Sequence, residues 1–359
     1  MANLYGERLT LTISGTSHGP RISMYLDGIP AGLPVDTQTL WDFMKRRAPG
    51  QNCYSTPRKE ADEIHFDSGI HQNHTTGEAI LAHIENENAR SKDYAQLRTI
   101  PRPGHADFTA WQKYGQEFSM AGGGPFSGRM TAAMCIAGGL CKQWLELKGI
   151  HIGAHLAQIA QICDDPFDPV APALDAVCTE FPVLNPQRGR QMQELLVNIR
   201  AAGDSVGGIV ECAITGLPAG IGGELFAGVE SKLAQILYAI PGVKGVEFGL
   251  GFAASSHHGS FTNDAFVLQE QKVCMETNHC GGILGGITTG MPVVMRAAFK
   301  PTPSIALPQK SVDLQTLEEV TLCVQGRHDP CIALRAVPVV EAAVAIAMYD
   351  LLLEQKPNY

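Results

Sequence analysis

The chain has 359 residues, 45% hydrophobic and 18% charged, with 38 Gly and 22 Pro, a globular composition long enough for one large domain or two of ordinary size. Its formal net charge of −9 argues against a general nucleic-acid surface, since duplex binding rests on Lys and Arg neutralising phosphates. The same balance leaves room for a small anionic substrate, which needs only a local basic pocket.

The opening "MANLYGERLTLTISG" lacks the basic start and apolar core of a secretory signal. Its "ERLTLTISG" and the following "RISMYLDG" both alternate apolar and polar residues, which predicts a β-pair flanking residues 15–20. "VDTQTLWDFMKRR" predicts a short helix, N-capped by Asp36 or Thr37 and ended by Ala48-Pro49-Gly50. "DEIHFDSG" and "EAILAHIEN" read as strands, and residues 86–118 as a polar, irregular stretch of the kind that is usually functional. Helices are predicted from Gly128 to Leu147, from Pro186 to Ala202 and from Val229 to Ile240, with strands at "IHIGAHLAQIA" and "GGIVECAITG". "GLGFAA" runs into the loop-like "SSHHGSFTND", so no dinucleotide-binding turn is expected there. The C-terminal "VPVVEAAVAIAMYDLLLEQ" reads as a mostly buried helix. Its run from Ala342 to Leu353 comes nearest to a membrane span and is broken by Asp350, so no membrane partner is expected. The ten cysteines contain no Cys-x-x-Cys pair and suggest buried, reduced thiols in a cytoplasmic protein. Helices alternating with β-pairs suggest α+β layers in place of a doubly wound parallel sheet.

The stretch "AGGGPFSGRMT", Ala121 to Thr131, places three glycines before a helix, an arrangement that offers N–H groups and a helix N-terminus to an anion. It lacks the Gly-Lys-Ser/Thr ending of a phosphate loop. His71 and His74, His151 and His155, and His257 and His258 have no convincing set of Cys, Asp and Glu at ligand spacing, so no metal is expected. Three other histidines lie among Gly and Pro, in "SGTSHGP" (His18), "RPGHAD" (His105) and "GRHDP" (His328), where tight bends point side chains into open space. Arg46, Arg47, Arg102, Arg129 and Arg327 stand beside Gly/Pro breaks, and arginine's planar fork suits carboxylate and phosphate. Together these residues describe a site for protons and a multiply charged anion.

These motifs resemble the chorismate synthase family. "GTSHGPRISMYLDGIPAG", "RRAPGQ", "RPGHADFTAWQKYG", "GGGPFSGRMTAA", "VKGVEFGLGF", "TNHCGGILGGITTG", "KPTPSI" and "GRHDPCIALRAVPVVEA" follow in family order, over essentially the whole chain. The resemblance implies a single domain over 1–359, a β-α-β sandwich of antiparallel sheets and helices, assembling as a homotetramer. It implies the elimination of phosphate from 5-enolpyruvylshikimate 3-phosphate, dependent on reduced FMN, with NADPH as a candidate reductant. Carried over by position, His18 is the acid for the departing phosphate, His105 keeps the reduced flavin suitably protonated, and Asp329 assists removal of the substrate proton. Arg46, Arg47, Arg102, Arg129 and Arg327 clamp the substrate anions. Ser127, Gly242, Gly285, Lys300, Pro301, Thr302, Pro303, Ser304 and Arg327 line the flavin.

The chain departs from the family pattern at three places. Thr16 stands where Glu is usual, Cys53 replaces a basic residue, and Pro125 takes the place of an arginine in the glycine loop. The last change predicts weakened FMN binding. The alternative reading is a paralogue that keeps the fold and anion site but has weak or no turnover.

Overall fold

Two five-stranded antiparallel sheets enclose a layer of helices in the computed structural model, which describes residues 3–48, 50, 62–86, 96–118, 120–324 and 328–355. The first sheet runs in the order β1 (Asn3–Tyr5), β2 (Thr10–Gly15), β3 (Arg21–Asp27), β7 (Ile80–Glu85) and β4 (His65–Ser68). A small hairpin, β5 (Ile70–His71) with β6 (His74–Thr75), interrupts it. The alternation read from the sequence is the burial pattern of β3 and β7: Ile22, Met24, Leu26, Ile80, Ala82 and Ile84 face inward. The second sheet runs β11 (Val243–Phe248), β16 (Val293–Phe299), β10 (Gly208–Thr215), β8 (His151–Ile159) and β9 (Ile162–Cys163). Four smaller strands make two outlying hairpins, β12 (Phe266–Gln269) with β13 (Lys272–Met275) and β14 (Ile283–Leu284) with β15 (Ile287–Thr288).

The filling is helical. α3 (Thr131–Glu146) packs on β2, β3 and β7 of the first sheet, α7 (Ala333–Glu354) packs on β8 and β10 of the second, and α1 (Thr37–Arg47) packs against both of these helices. α2 (Asp107–Tyr114), α4 (Pro186–Ala201), α5 (Val229–Ala239) and α6 (Gly259–Thr262) complete the α-helices among the described residues. The predicted layers are therefore found, as a β-α-β sandwich. One apolar core runs through it, from Leu9 to Leu351. α3 and α7 meet at Gly138, where a Cβ would lie 2.4 Å from Ala342 Cα, so only glycine permits the approach.

Charged groups lock the layers. Asp36, one of the two caps considered, accepts the N–H groups of Gln38 and Thr39 at 2.9 and 3.0 Å and starts α1. By length and apolarity α7 is long enough to cross a membrane, but 89% of its most apolar window is buried inside the protein. Two of its three acidic residues, Asp350 and Glu341, are tied to other parts of the chain. Asp350 accepts from the backbone N–H groups of Glu7, Arg8 and Leu9 at 2.8–3.3 Å, tying the first strands to the last helix. Glu341 holds Arg46 at 2.5 and 2.9 Å and Lys142 at 3.0 Å. Burial works against its charge, yet Lys142 and Arg46 outweigh that and keep its carboxyl below the usual range.

The stretch read as irregular contains α2, whose single buried apolar residue, Ala110, leaves no stripe for periodicity to detect. His155 lies in β8 as expected, but with partners the sequence concealed. Its ring nitrogens lie 3.0 Å from Asp164 and 3.0 Å from Glu211, all three side chains buried. Two carboxylate partners require both nitrogens to donate, so the ring is an imidazolium. Burial alone would lower its pKa; the hydrogen bonds to Asp164 and Glu211 raise it above the ordinary value of 6.5. A raised folded pKa contributes stability that is full below pH 6.5 and is lost as pH rises through the folded value. Urea unfolding should therefore show stability falling above neutrality in the parent. His155→Ala should cost about 3–5 kcal/mol at pH 6, the range for breaking a buried pair, and should remove that slope.

Candidate active site

A cavity of about 710 Å³ opens between the glycine loop, the α5–β11 junction and the start of α7. The loop Gly122–Gly123–Gly124 forms its floor with φ of 62, 93 and 53°, a run of positive values that only glycine adopts without strain. A Cβ on Gly122 would fall 1.9 Å from the His18 ring, and one on Gly123 would fall 3.3 Å from His105 Nε2. The glycines thread between two histidines, where any side chain would displace one of them. The expectation that this loop chiefly offers N–H groups is modified, because Gly123 N–H is already bonded to Met120 C=O at 2.9 Å.

Each histidine is oriented by a neighbour. The Ser17 hydroxyl donates to Gly122 C=O at 3.1 Å, and its oxygen lies 3.2 Å from His18 Nδ1, which suits a tautomer carrying its proton there. His105 Nδ1 lies 2.7 Å from Asp107 Oδ1; a carboxylate so close requires the proton on Nδ1 and leaves Nε2 turned to the glycines. Burial lowers the His105 pKa, against the hydrogen bond it donates to Asp107 and with Arg102 and Lys300 adding to the fall. Asp107 would be raised by burial, but Arg102 and His105 hold it well below the usual carboxylate range.

The arginines form the walls. Arg102 grips Asp107 through Nε at 2.7 Å and Nη2 at 2.8 Å, and donates to Ser304 at 3.1 Å. Asp62 takes Arg47 on one oxygen at 2.5 Å and Arg129 on the other, with all three side chains at most 5% exposed. Burial pushes Arg47 down to about 10 despite Asp62, with Arg335 and Arg129 contributing to the fall. Arg335 donates to Asp329 at 2.6 Å and to Arg47 C=O at 3.0 Å, joining the two walls. Lys300 Nζ donates to Gly104 C=O.

Of the residues singled out in the sequence, His18, His105, Asp329, Arg47, Arg102, Arg129, Ser127, Gly242 and Lys300–Ser304 all line this cavity. Arg46 does not: it lies one helical step from Arg47, and its exposed side chain pairs with the buried Glu341. Gly285 does not either. It sits in the two-residue turn between β14 and β15, where φ of 62 and 85° at Gly285 and Gly286 explains both glycines. Arg327 and Cys53 lie outside the described residues. Asp62 and Arg335 were missed. For Arg335 a signal existed, since a lone cation at the start of an apolar helix opposes the helix dipole and needs a compelling partner.

The sequence matches the family model described as "Chorismate synthase" over residues 9–353. It is 43% identical to the chorismate synthase of Lancefieldella parvula over 367 residues, covering 98% of this chain and 96% of that one. It is 44% identical to that of Thermococcus kodakarensis over 353 residues, covering 98% of each. The fold is similar to a crystal structure of chorismate synthase, with a TM-score of 0.76 and 26% identity over 97% of this chain and 93% of that one.

Proposed function

Because the chain belongs to the chorismate synthase family, we propose that its cavity catalyses the 1,4-elimination of phosphate from 5-enolpyruvylshikimate 3-phosphate. The product is chorismate, the last common step of the shikimate pathway to aromatic amino acids, which makes the protein a carbon–oxygen lyase acting on a phosphate. The observation that carries this reading is the pair His18 and His105, held on either side of the glycine loop in a cavity walled by Arg47, Arg102 and Arg129. Relatives at 41–44% identity all bear the same name, and no described feature of the site favours an idle paralogue.

The cavity suits a flavin. Its volume lies high in the usual range of about 300–1,000 Å³ for small-molecule sites. The floor carries no Cβ, and a buried His328 nitrogen faces no protein partner among the described residues. Lys300, Pro301, Thr302, Pro303, Ser304, Ser127 and Gly242 would hold the FMN, with NADPH as a candidate source of its electrons. When bound and reduced, FMN supplies electron density as phosphate departs, in a reaction with no net redox change. The chain's own part is to bind and to move protons. Arg47, Arg102 and Arg129 bind the phosphate and carboxylates. His18, oriented through Nδ1 by Ser17, would act as the acid for the leaving phosphate in its imidazolium form, with the second proton on Nε2. His105, fixed by Asp107, presents Nε2 as a neutral nitrogen on the flavin side. Asp329, paired with Arg335 at 2.6 Å, serves the proton lost from the substrate ring.

We also take residues 1–359 to act as one domain in the cytoplasm, consistent with nine free cysteines among the described residues. Four such chains would form a homotetramer. Phe266, Leu268 and Val273 are exposed on the β12–β13 hairpin, Phe226 is 90% exposed, and a two-stranded hairpin is marginal alone. Sedimentation should give a tetramer that Leu268→Asp with Phe226→Asp breaks into smaller species; an unchanged mass in the double variant would remove these surfaces from the interface.

Anaerobic assays should show phosphate and chorismate released together with reduced FMN and not with oxidised FMN. His18→Ala and His105→Ala should each lower turnover by roughly 10²–10⁴, the range for a lost general acid or base, with folding intact. Near-parental turnover in either variant would remove that residue's role. Pro125 lines the cavity, and Pro125→Arg should tighten FMN binding by roughly ten- to a hundred-fold, since a charge-assisted hydrogen bond contributes about 1.5–3 kcal/mol. Titration of FMN fluorescence checks this, and equal or weaker binding would mean that another cation already holds the phosphate.

A further inference from the structure

Of the three loop histidines, His328 alone has no part in the reaction above. Its ring lines the cavity next to Asp329, and its Nε2 is buried with no hydrogen-bond partner among the described residues. Neither His18 nor His105 has a nitrogen that is both buried and unpartnered among the described residues, so the feature belongs to His328 within this site. Buried polar atoms in native proteins are nearly all satisfied, and an exception at a cavity wall points to a group that arrives with a ligand. Thr302 donates to Asp329 C=O at 3.0 Å, which fastens this segment against Lys300–Ser304.

We propose that His328 is a ligand-binding residue whose Nε2 is satisfied by a polar N–H or C=O group on the rim of a bound flavin ring. The inference rests on the flavin-dependent reading given above. A flavin rim suits this nitrogen better than a substrate anion does. Burial, then Arg102, push the His328 pKa down to about 4 against the pull of Asp329, so the ring is neutral at neutral pH. A neutral imidazole matches an uncharged ring edge, while the anions have Arg47, Arg102 and Arg129 to meet them.

The test is His328→Phe, which keeps a flat ring and removes both nitrogens. Oxidised FMN, titrated by fluorescence, should bind roughly ten-fold more weakly, the loss expected for one hydrogen bond. Inorganic phosphate should bind as in the parent. The ligand-free variant should melt at the same or a higher temperature, because replacing an unsatisfied polar atom by an apolar one relieves its desolvation. His328→Asn, which keeps a polar side chain, should retain part of the FMN affinity. Parental FMN affinity in His328→Phe, a lower melting temperature, or failure to fold would each overturn the proposal and make His328 structural. A parent protein that binds no FMN would instead overturn the flavin reading itself, and is seen before any variant is made.

Discussion

A guanidinium group cannot be buried without an anion, and much of this molecule answers that constraint. An ion taken out of water loses several kcal/mol of hydration, which only close, hydrogen-bonded counter-charges offset. Arg102 meets Asp107, Arg47 and Arg129 share Asp62, Arg335 meets Asp329, and Arg46 meets Glu341. Two of these links join distant parts of the chain: Asp62, before β4, holds Arg129 at the entry to α3, and Glu341 of α7 holds Arg46 of α1. Positioning the anion site and closing the sandwich are thus one structural task.

The second requirement is space. Gly138 lets α3 lie against Ala342, which brings α7 and its Arg335 close to the first sheet. Gly122 and Gly123 let the loop before α3 pass between His18 and His105. Asp350 fastens the backbone just before β2, and His18 follows directly from the end of that strand. The two histidines belong to different segments, one after a strand and one before α2. Their separation is set by helices that neither segment contains.

This explains what the sequence showed and what it hid. Local signals were legible: alternation in β2 and β3, the Asp36 cap, and histidines in Gly/Pro loops whose side chains do reach the cavity. Pairings across the fold were not. Arg46 and Arg47 stand at the same Pro/Gly break, yet residues adjacent in a helix point about 100° apart, and one reaches Glu341 from an exposed position while the other is buried at the site. Gly285 looked like the other glycines, but a turn glycine and a ligand-facing glycine share one letter and one φ range. Asp62 bridges Arg47 to Arg129, 67 residues further on, and Arg335 reaches the Arg47 carbonyl 288 residues back, links that spacing along the chain cannot reveal.

The charge pattern then acquires a meaning that net charge alone concealed. Six Lys and Arg side chains line the cavity, while the carboxylates in or bonded to its wall are Asp62, Asp107 and Asp329. A local positive excess therefore sits inside a protein of formal charge −9. The acidic exterior gives a passing polyanion such as a nucleic acid no broad surface to hold. A small anion that enters the cavity meets cations already oriented by their counter-ions, in surroundings where charges are poorly screened. Pairing each arginine with an internal carboxylate thus does two things at once. It makes burial tolerable, and it holds the guanidinium in place so that less order has to be imposed when the ligand binds.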